Sequence, residues 1–313
     1  MSKVKTCLVC KTKFTASRKD AKYCSPKCRQ AAVYAKKKGK PVKKDVIPVI
    51  PAKGLTPDTP VIPYDREANL EAFKKMGLEE VEWITTGIPE FDALTMIPRG
   101  RTTQIQGPYA VGKTTLALNM IRGLTSERVL YIDTEAALNP ALLVSLRLDP
   151  KNFALYNKSA FIEDIYDVIL EAVQTPKYDM IILDSLAACT FRVEAAGAAT
   201  DANIGQKAKV VGKLMRIVPM ELKRTKTALV IINQERETIG GYVPIKYTPG
   251  GMGVPYSASL MVALKSTKGA RFPKTGPPFQ GQEVTAEIIK SKVNEPWRKA
   301  TFKIYYGQTQ TTD

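Results

Sequence analysis

The run GPYAVGKTT, Gly107 to Thr115, carries the chemistry most readily named in this sequence. Gly107 and Gly112 bracket Pro108, Tyr109, Ala110 and Val111, and Lys113, Thr114 and Thr115 follow at once. That spacing is the phosphate-loop pattern G-x-x-x-x-G-K-[ST]. In it, backbone amides cradle phosphates, the lysine neutralises the outer ones and the next hydroxyl ligates Mg²⁺. Two carboxylates extend the reading. Asp184 ends the apolar run in YDMIILDS, where it can hold a Mg²⁺-bound water, and Glu135 lies just past the run in VLYIDTE. A carboxylate in that second position can orient and deprotonate an attacking water. Loop, magnesium acid and base together predict ATP hydrolysis. Histidine is absent, which removes Ser-His-Asp, Cys-His and His–metal chemistry and leaves carboxylates, lysines, hydroxyls and bound metal.

A second constellation is Cys7, Cys10, Cys24 and Cys28, spaced C-x2-C-x13-C-x3-C. Four thiolates at such spacing bind Zn²⁺ tetrahedrally and can hold together a module too small for its own core. With no export signal after MSKVKTC, zinc is expected rather than disulfides. The basic run KCRQAAVYAKKKGKPVKK favours a finger that touches nucleic acid over a purely structural knuckle. It also fits a nuclear localisation run or a solubilising tether. Cys189, alone after an apolar strand, is expected to be a buried core thiol. A third feature is EIIKSKVNEPW, whose opening reads as a strand. Lys290 and Lys292 are two apart there and are expected on one face. Parallel lysines repel unless an anion faces them.

The elements that must position these groups are apolar strands alternating with helical stretches from about Glu82. The strands are TTQIQ, VLYID, MIILD, ALVIIN, LMVAL, AEIIK and FKIYY. The alternation predicts an α/β fold with a mostly parallel central sheet and antiparallel strands at its C-terminal edge. Upstream, PVKKDVIPVIPAKGLTPDTPVIPYD holds six prolines in 25 residues and reads as an extended linker, followed by a helix candidate at REANLEAFKKMG. The expected organisation is a four-cysteine module with a basic tail over 1–40, a linker over 41–64, and a helix/strand segment that could pack against a second subunit over 65–83. An ATPase core over 84–307 and a tail over 308–313 complete it. Of the 313 residues, 47 are Lys or Arg and 30 Asp or Glu, a net charge of +17. Residues 1–54 carry 16 of those bases against Asp20 and Asp45, hence +14, which leaves +3 for the rest. A polyanion is the expected partner of the tail. No apolar run is long enough to span a bilayer, so the expectation is a soluble intracellular protein of cytoplasm or nucleoid, the nucleus remaining open.

The segments ITTGIPEFDALTMIPRGRTTQIQGPYAVGKTT, YIDTEAALNP, MIILDSLAA, VIINQERETIG and IIKSKVNEPWRKATFKIYYG occur in the order in which the RecA family of recombinases carries its motifs. The chain resembles that family over about residues 84–307. The resemblance implies ATP and Mg²⁺ as cofactors beside the zinc. It implies Glu135 as the water-activating base, Asp184 as the magnesium acid and Gln234 as a sensor of the γ-phosphate. DNA-contacting loops would fall near 191–205 and 235–253, the second bringing Arg236, Tyr242, Lys246, Tyr247, Gly250 and Gly251 to a single strand. Lys290 and Lys292 match a pair that reaches the ATP of the neighbouring subunit in a filament. The function implied is filament formation on single-stranded DNA, with homologous pairing to double-stranded DNA and strand exchange. Recombination mediators or a single-strand-binding protein would be further partners. Two positions depart from the pattern: Asn139 replaces an aspartate expected near adenine, and Leu142 a tyrosine expected against the base. Alternatives are a RadA-like hexameric motor, whose K-N-R-F-G motif is not found here, and a mediator that binds ATP with little turnover.

Overall fold

The computed structural model describes residues 3–7, 13–16, 22–23, 28, 65–124, 126–175, 177–192, 206–237, 246–266, 270–273, 275 and 279–306. The chain divides into two compact units, Met1–Gly77 and Leu78–Asp313. In the first, β1 (Lys3–Thr6) and β2 (Lys13–Ala16) form an antiparallel hairpin, and Cys7, just past β1, is buried. Cys10 and Cys24 lie outside the described residues, among which no group of three or more His, Cys, Asp or Glu is placed to hold a metal ion. The same unit contains α1 (Arg66–Lys75), where a helix was expected. Asp65 caps it by accepting from Ala68 N–H at 3.0 Å. Glu67 in its first turn and Lys74 and Lys75 in its last suit the helix dipole.

The second unit opens with β3 (Trp83–Ile84), α2 (Pro89–Leu94) and β4 (Ile97–Pro98), the two strands paired. Strands and helices then alternate: β5 (Thr102–Gly107), α3 (Lys113–Gly123), β6 (Val129–Asp133), α4 (Pro140–Ser145), β7 (Phe153–Tyr156), α5 (Ile162–Gln174), β8 (Met180–Asp184), α6 (Gln206–Thr225) and β9 (Ala228–Gln234). A hairpin of β10 (Arg236–Glu237) and β11 (Lys246–Tyr247) leads to α7 (Gly253–Ser257). The last strands are β12 (Leu260–Lys265), β13 (Arg271–Phe272), β14 (Gly281–Ser291) and β15 (Lys299–Tyr305).

Among the described residues nine strands share one sheet, ordered β13-β14-β12-β5-β9-β8-β6-β7, with β15 on β14. Neighbours from β12 to β7 run parallel, and β13, β14 and β15 add an antiparallel edge. This is the mostly parallel sheet that the alternation of runs predicts. Because side chains of a strand alternate between faces, Val129 and Tyr131 enter one apolar cluster, and Leu130 and Ile132 the other. The first is covered by α2 and α3 through Phe91, Leu94, Leu116 and Met120. The second is covered by α5 and α6. Ile162, Ile165, Ile169 and Val173 of α5 recur at helical spacing and face Leu214, Val218 and Leu222 of α6 within the same cluster. Cys189 is buried in that cluster, as expected of it. The central strand β5 has β12 on one side and β9 on the other, so the chain leaves it between strands that come later. The carboxyl end of such a strand is where an open α/β sheet leaves a crevice.

Candidate active site

The phosphate loop leaves β5 at that crevice. Gly112 has φ +93° and caps α3, a conformation that L side chains resist. A Cβ there would also lie 2.4 Å from Ile304 Cδ1 and 2.5 Å from Gln282 Nε2. Gln282, buried on β14, donates its Nε2 to Val111 O at 2.9 Å and so fixes the loop from the antiparallel edge. Lys113 is only 8% exposed, and its Nζ donates to Gly107 O at 3.1 Å and Pro108 O at 2.7 Å. Burial pulls its pKa below the usual lysine value, against the opposing charges of Asp184, Glu135 and Glu235. Ala110 takes a positive φ and Tyr109 is exposed beside it.

Asp184 and Glu135 approach from the ends of β8 and β6. Asp133 and Asp184 are paired in the sheet, and Thr134 N–H donates to Asp184 O at 2.8 Å. Asp184 is 4% exposed; its Oδ2 accepts from the hydroxyl of fully buried Tyr131 at 2.6 Å. Burial raises its pKa above the ordinary aspartate value, opposed by hydrogen bonds from Thr114 and Tyr131 and reinforced by Glu135 and Asp133. Glu135 Oε1 accepts from Ser185 Oγ at 2.7 Å. The turn carrying Glu135 is anchored by the Asp133 carboxylate, which accepts from the backbone N–H groups of Glu135, Ala137 and Leu138. Gln234, at the end of β9, stands opposite Gly107 in the register.

These residues fit a nucleotide with Mg²⁺. A desolvated ammonium and a desolvated carboxylate are both costly without ionic partners. Phosphate oxygens against Lys113, and a cation against Thr114 and Asp184, satisfy both.

Lys290 and Lys292 lie on the same antiparallel edge, toward the other end of β14 from Gln282. β14 ends at Ser291, so Lys292 stands one residue past the strand rather than on it. The pair still converges, because both Nζ atoms donate to Tyr256 O at 3.1 Å, and Lys290 also donates to Pro255 O. Together they cap the carbonyl end of α7. Burial lowers the pKa of Lys290, and the charge of Lys292 lowers it further.

Of the expected DNA-contacting residues, exposed Arg236 pairs with half-exposed Tyr247 across the β10–β11 hairpin. Lys246 stands opposite Glu237. Tyr242 and residues 193–205 lie outside the described residues. Gly250 and Gly251 have φ of +94° and +71°. A Cβ on either would come within 2.8 Å of Leu186 Cδ2 or Ala208 Cβ, respectively. A tight approach to Leu186, just past β8, therefore accounts for glycine at 250, and one to α6 for glycine at 251.

The family profile described as RecA N-terminal domain matches residues 66–311. The chain belongs to the RecA family. A RecA-like recombinase function goes with that membership. The chain is 30% identical over 260 residues to Protein RecA of Streptomyces venezuelae, covering 80% of this chain and 68% of that protein. To Protein RecA of Rubrobacter xylanophilus it is 32% identical over 264 residues, covering 80% and 74%. A solved structure, the crystal structure of the RadB recombinase, shares the fold with a TM-score of 0.53 at 22% identity, over 71% of this chain and 96% of that one.

Against the RecA pattern, Asn139 has a structural task of its own: its Oδ1 accepts from Leu142 N–H at 2.9 Å and caps α4. Leu142 packs, partly buried, on the first core cluster. Reasoning from sequence missed Tyr131, Gln282 and the carboxylate of Glu235, which accepts from Gln106 Nε2 at 3.0 Å. Gln104 and Gln106, two apart in the strand TTQIQG, put two amides on one face, a signal that could have been followed.

Proposed function

We propose that this chain is an ATP-dependent DNA recombinase that assembles as a helical filament on single-stranded DNA, pairs it with homologous double-stranded DNA and exchanges strands in recombination and repair. The observation that supports this most is one convergence. Lys113, Glu135, Asp184 and Gln234 meet at the carboxyl ends of four neighbouring parallel strands, and the exposed hairpin root begins two residues past Gln234.

Lys113 exchanges the carbonyls of Gly107 and Pro108 for phosphate oxygens of ATP. Thr114 and Asp184 would hold Mg²⁺, which would supply positive charge against the phosphates. Glu135, aimed by Ser185 and the turn built on Asp133, takes the proton of the attacking water. Gln234 reads the outer phosphate and passes its state to the hairpin. There Arg236, Lys246, Tyr242 and Tyr247 hold a single strand by charge and stacking, with Gly250 and Gly251 shaping the loop. Lys290 and Lys292 leave the α7 carbonyls for the ATP of the next subunit, and the segment 65–83 packs against that neighbour. Head-to-tail contacts of this kind generate an open helical assembly.

Residues 1–40 form a zinc finger on Cys7, Cys10, Cys24 and Cys28, joined by the linker over 41–64 to the core over 84–307. The finger and basic tail gather DNA inside the cell, in cytoplasm or nucleoid, where recombination mediators and a single-strand-binding protein are the natural further partners. Among the described residues no helix is long and apolar enough to cross a membrane.

The deciding experiment is electron microscopy of the full chain on single-stranded DNA with a slowly hydrolysed ATP analogue, beside an ATPase assay with and without DNA. Filaments and DNA-stimulated turnover are expected. Rings would favour a hexameric motor, and ATP binding with no turnover a mediator. Deleting residues 1–54 tests the tail: DNA affinity should weaken and its salt dependence flatten while turnover at saturating DNA survives. An unchanged salt slope would remove the DNA-gathering role.

A further inference from the structure

Glu235 stands between the phosphate loop and the hairpin that starts at Arg236. Its backbone N–H donates to Gly107 O at 3.0 Å, closing the β5–β9 ladder just past Gln234. Its carboxylate accepts from Gln106 Nε2 at 3.0 Å, and Gln106 Oε1 accepts from Gln104 Nε2 at 2.6 Å. Gln104 is fully buried, so this ladder is rooted inside the sheet. Gly107 O also accepts from Lys113 Nζ. One carbonyl oxygen therefore serves the phosphate-binding lysine and the residue that leads into the hairpin.

The arrangement has a mechanical and an electrical side. Backbone and side chain of Glu235 are both bonded to β5, so the hairpin root cannot swing without stretching one of those bonds. A phosphate that draws Lys113 away from Gly107 removes a donor from the carbonyl that Glu235 shares. It also brings negative charge toward the Glu235 carboxylate, which is among the groups that support the charge on Lys113.

We propose that Glu235 is a positioning residue that couples nucleotide at the phosphate loop to DNA at the hairpin, by pinning the hairpin root to β5 through Gln106 and Gly107. The inference rests on the recombinase reading above and adds the device by which its two ligands sense each other.

The test measures affinity of the full chain for a fluorescein-labelled oligothymidine by anisotropy, with and without the slowly hydrolysed ATP analogue and Mg²⁺. Binding of a fluorescent ATP analogue is measured separately without DNA. In the wild type, nucleotide should tighten DNA binding. Glu235→Ala should bind the ATP analogue yet lose about tenfold of that gain, within the range typical of coupling between two sites. Glu235→Gln keeps an oxygen that can accept from Gln106, so the gain should persist. It should also bind the ATP analogue severalfold more tightly, because a negative charge near the phosphates is gone. Gln106→Met removes the same bond from the strand side and should lose the gain as Glu235→Ala does, which keeps the test decisive if Glu235→Ala fails to fold. A wild-type gain in Glu235→Ala or Gln106→Met overturns the inference, as does its complete loss in Glu235→Gln. A wild type whose DNA binding ignores nucleotide overturns the recombinase reading, and the inference with it. That failure shows in the unmutated protein, before any variant is compared.

Discussion

Lys113 and Lys290 are both drawn partly out of water, but their surroundings differ in kind. Around Lys113 stand Asp184, Glu135 and Glu235, which hold its charge up against burial. Beside Lys290 stands a second lysine, whose charge adds to the effect of burial, and neutral carbonyls of α7 receive both ammonium groups. The phosphate loop is thus an electrically near-complete site that needs only its substrate. The lysine corner is half a site, with two positive charges and acceptors that carry no full negative charge. On the proposed reading, clustered like charge held on backbone carbonyls would await an anion from outside the subunit, whereas the lysine among carboxylates would meet one bound within it.

The largest expected effect comes from emptying the complete site of its cation. Lys113→Ala should abolish detectable ATP binding, measured with a fluorescent analogue, and with it all turnover. Near-normal affinity would mean that the loop amides alone hold the phosphates. Next, Lys290→Ala/Lys292→Ala should lower DNA-dependent turnover on the order of 10³-fold, as loss of a charge that acts in the transition state does, while leaving nucleotide binding by the isolated subunit intact. Weaker binding by the isolated subunit would instead place the pair in its own site. Glu135→Gln should lower turnover on the order of 10²-fold, the scale of one general base, and hold the DNA-bound form longer. Turnover at the wild-type rate would remove Glu135 from the role of base. Mixing the last two variants sharpens the comparison: activity should rise to a maximum near equal amounts, because some interfaces then join an intact Glu135 to intact lysines. A flat line near zero would put the lysines on their own subunit's ATP. The smallest effect is expected from Tyr131→Phe, which deletes the hydroxyl that donates to Asp184. Unfolding by urea should show a loss of about 1–3 kcal/mol, the cost of stripping a buried acceptor of one donor. No loss would mean that Asp184 finds another donor.

The parts of the site legible in the sequence were those whose chemistry is local. The phosphate loop is one contiguous run, and Asp184 and Glu135 each close an apolar strand that announces itself. The sheet was legible for the same reason, since its core strands are short apolar runs, although the edge strand β7, only partly buried, escaped notice. What the sequence concealed depends on distance along the chain. Gln282 meets Val111 across 171 residues and Glu235 meets Gln106 across 129, separations over which no spacing rule operates. Tyr131 was hidden differently: its ring fits the alternation of a buried strand, which says nothing of where a hydroxyl points. Asn139 read as a departure at a nucleotide contact, yet Asn-Pro at the start of a helix is a capping signal. Gly250 and Gly251 read as contacts to a single strand, and their left-handed conformation and close packing neighbours were not visible in the sequence.

The strand β14 carries Gln282 near one end and Lys290 near the other, with β12 and β15 flanking it on its two sides. About 27 Å of continuous strand, at roughly 3.4 Å per residue, therefore joins the grip on the subunit's own phosphate loop to the pair of ammonium groups that would reach a neighbour. In the proposed filament, β14 would tie the contact with one neighbour's phosphates to the loop that holds the subunit's own, with β12 and β15 sharing whatever load the strand carries.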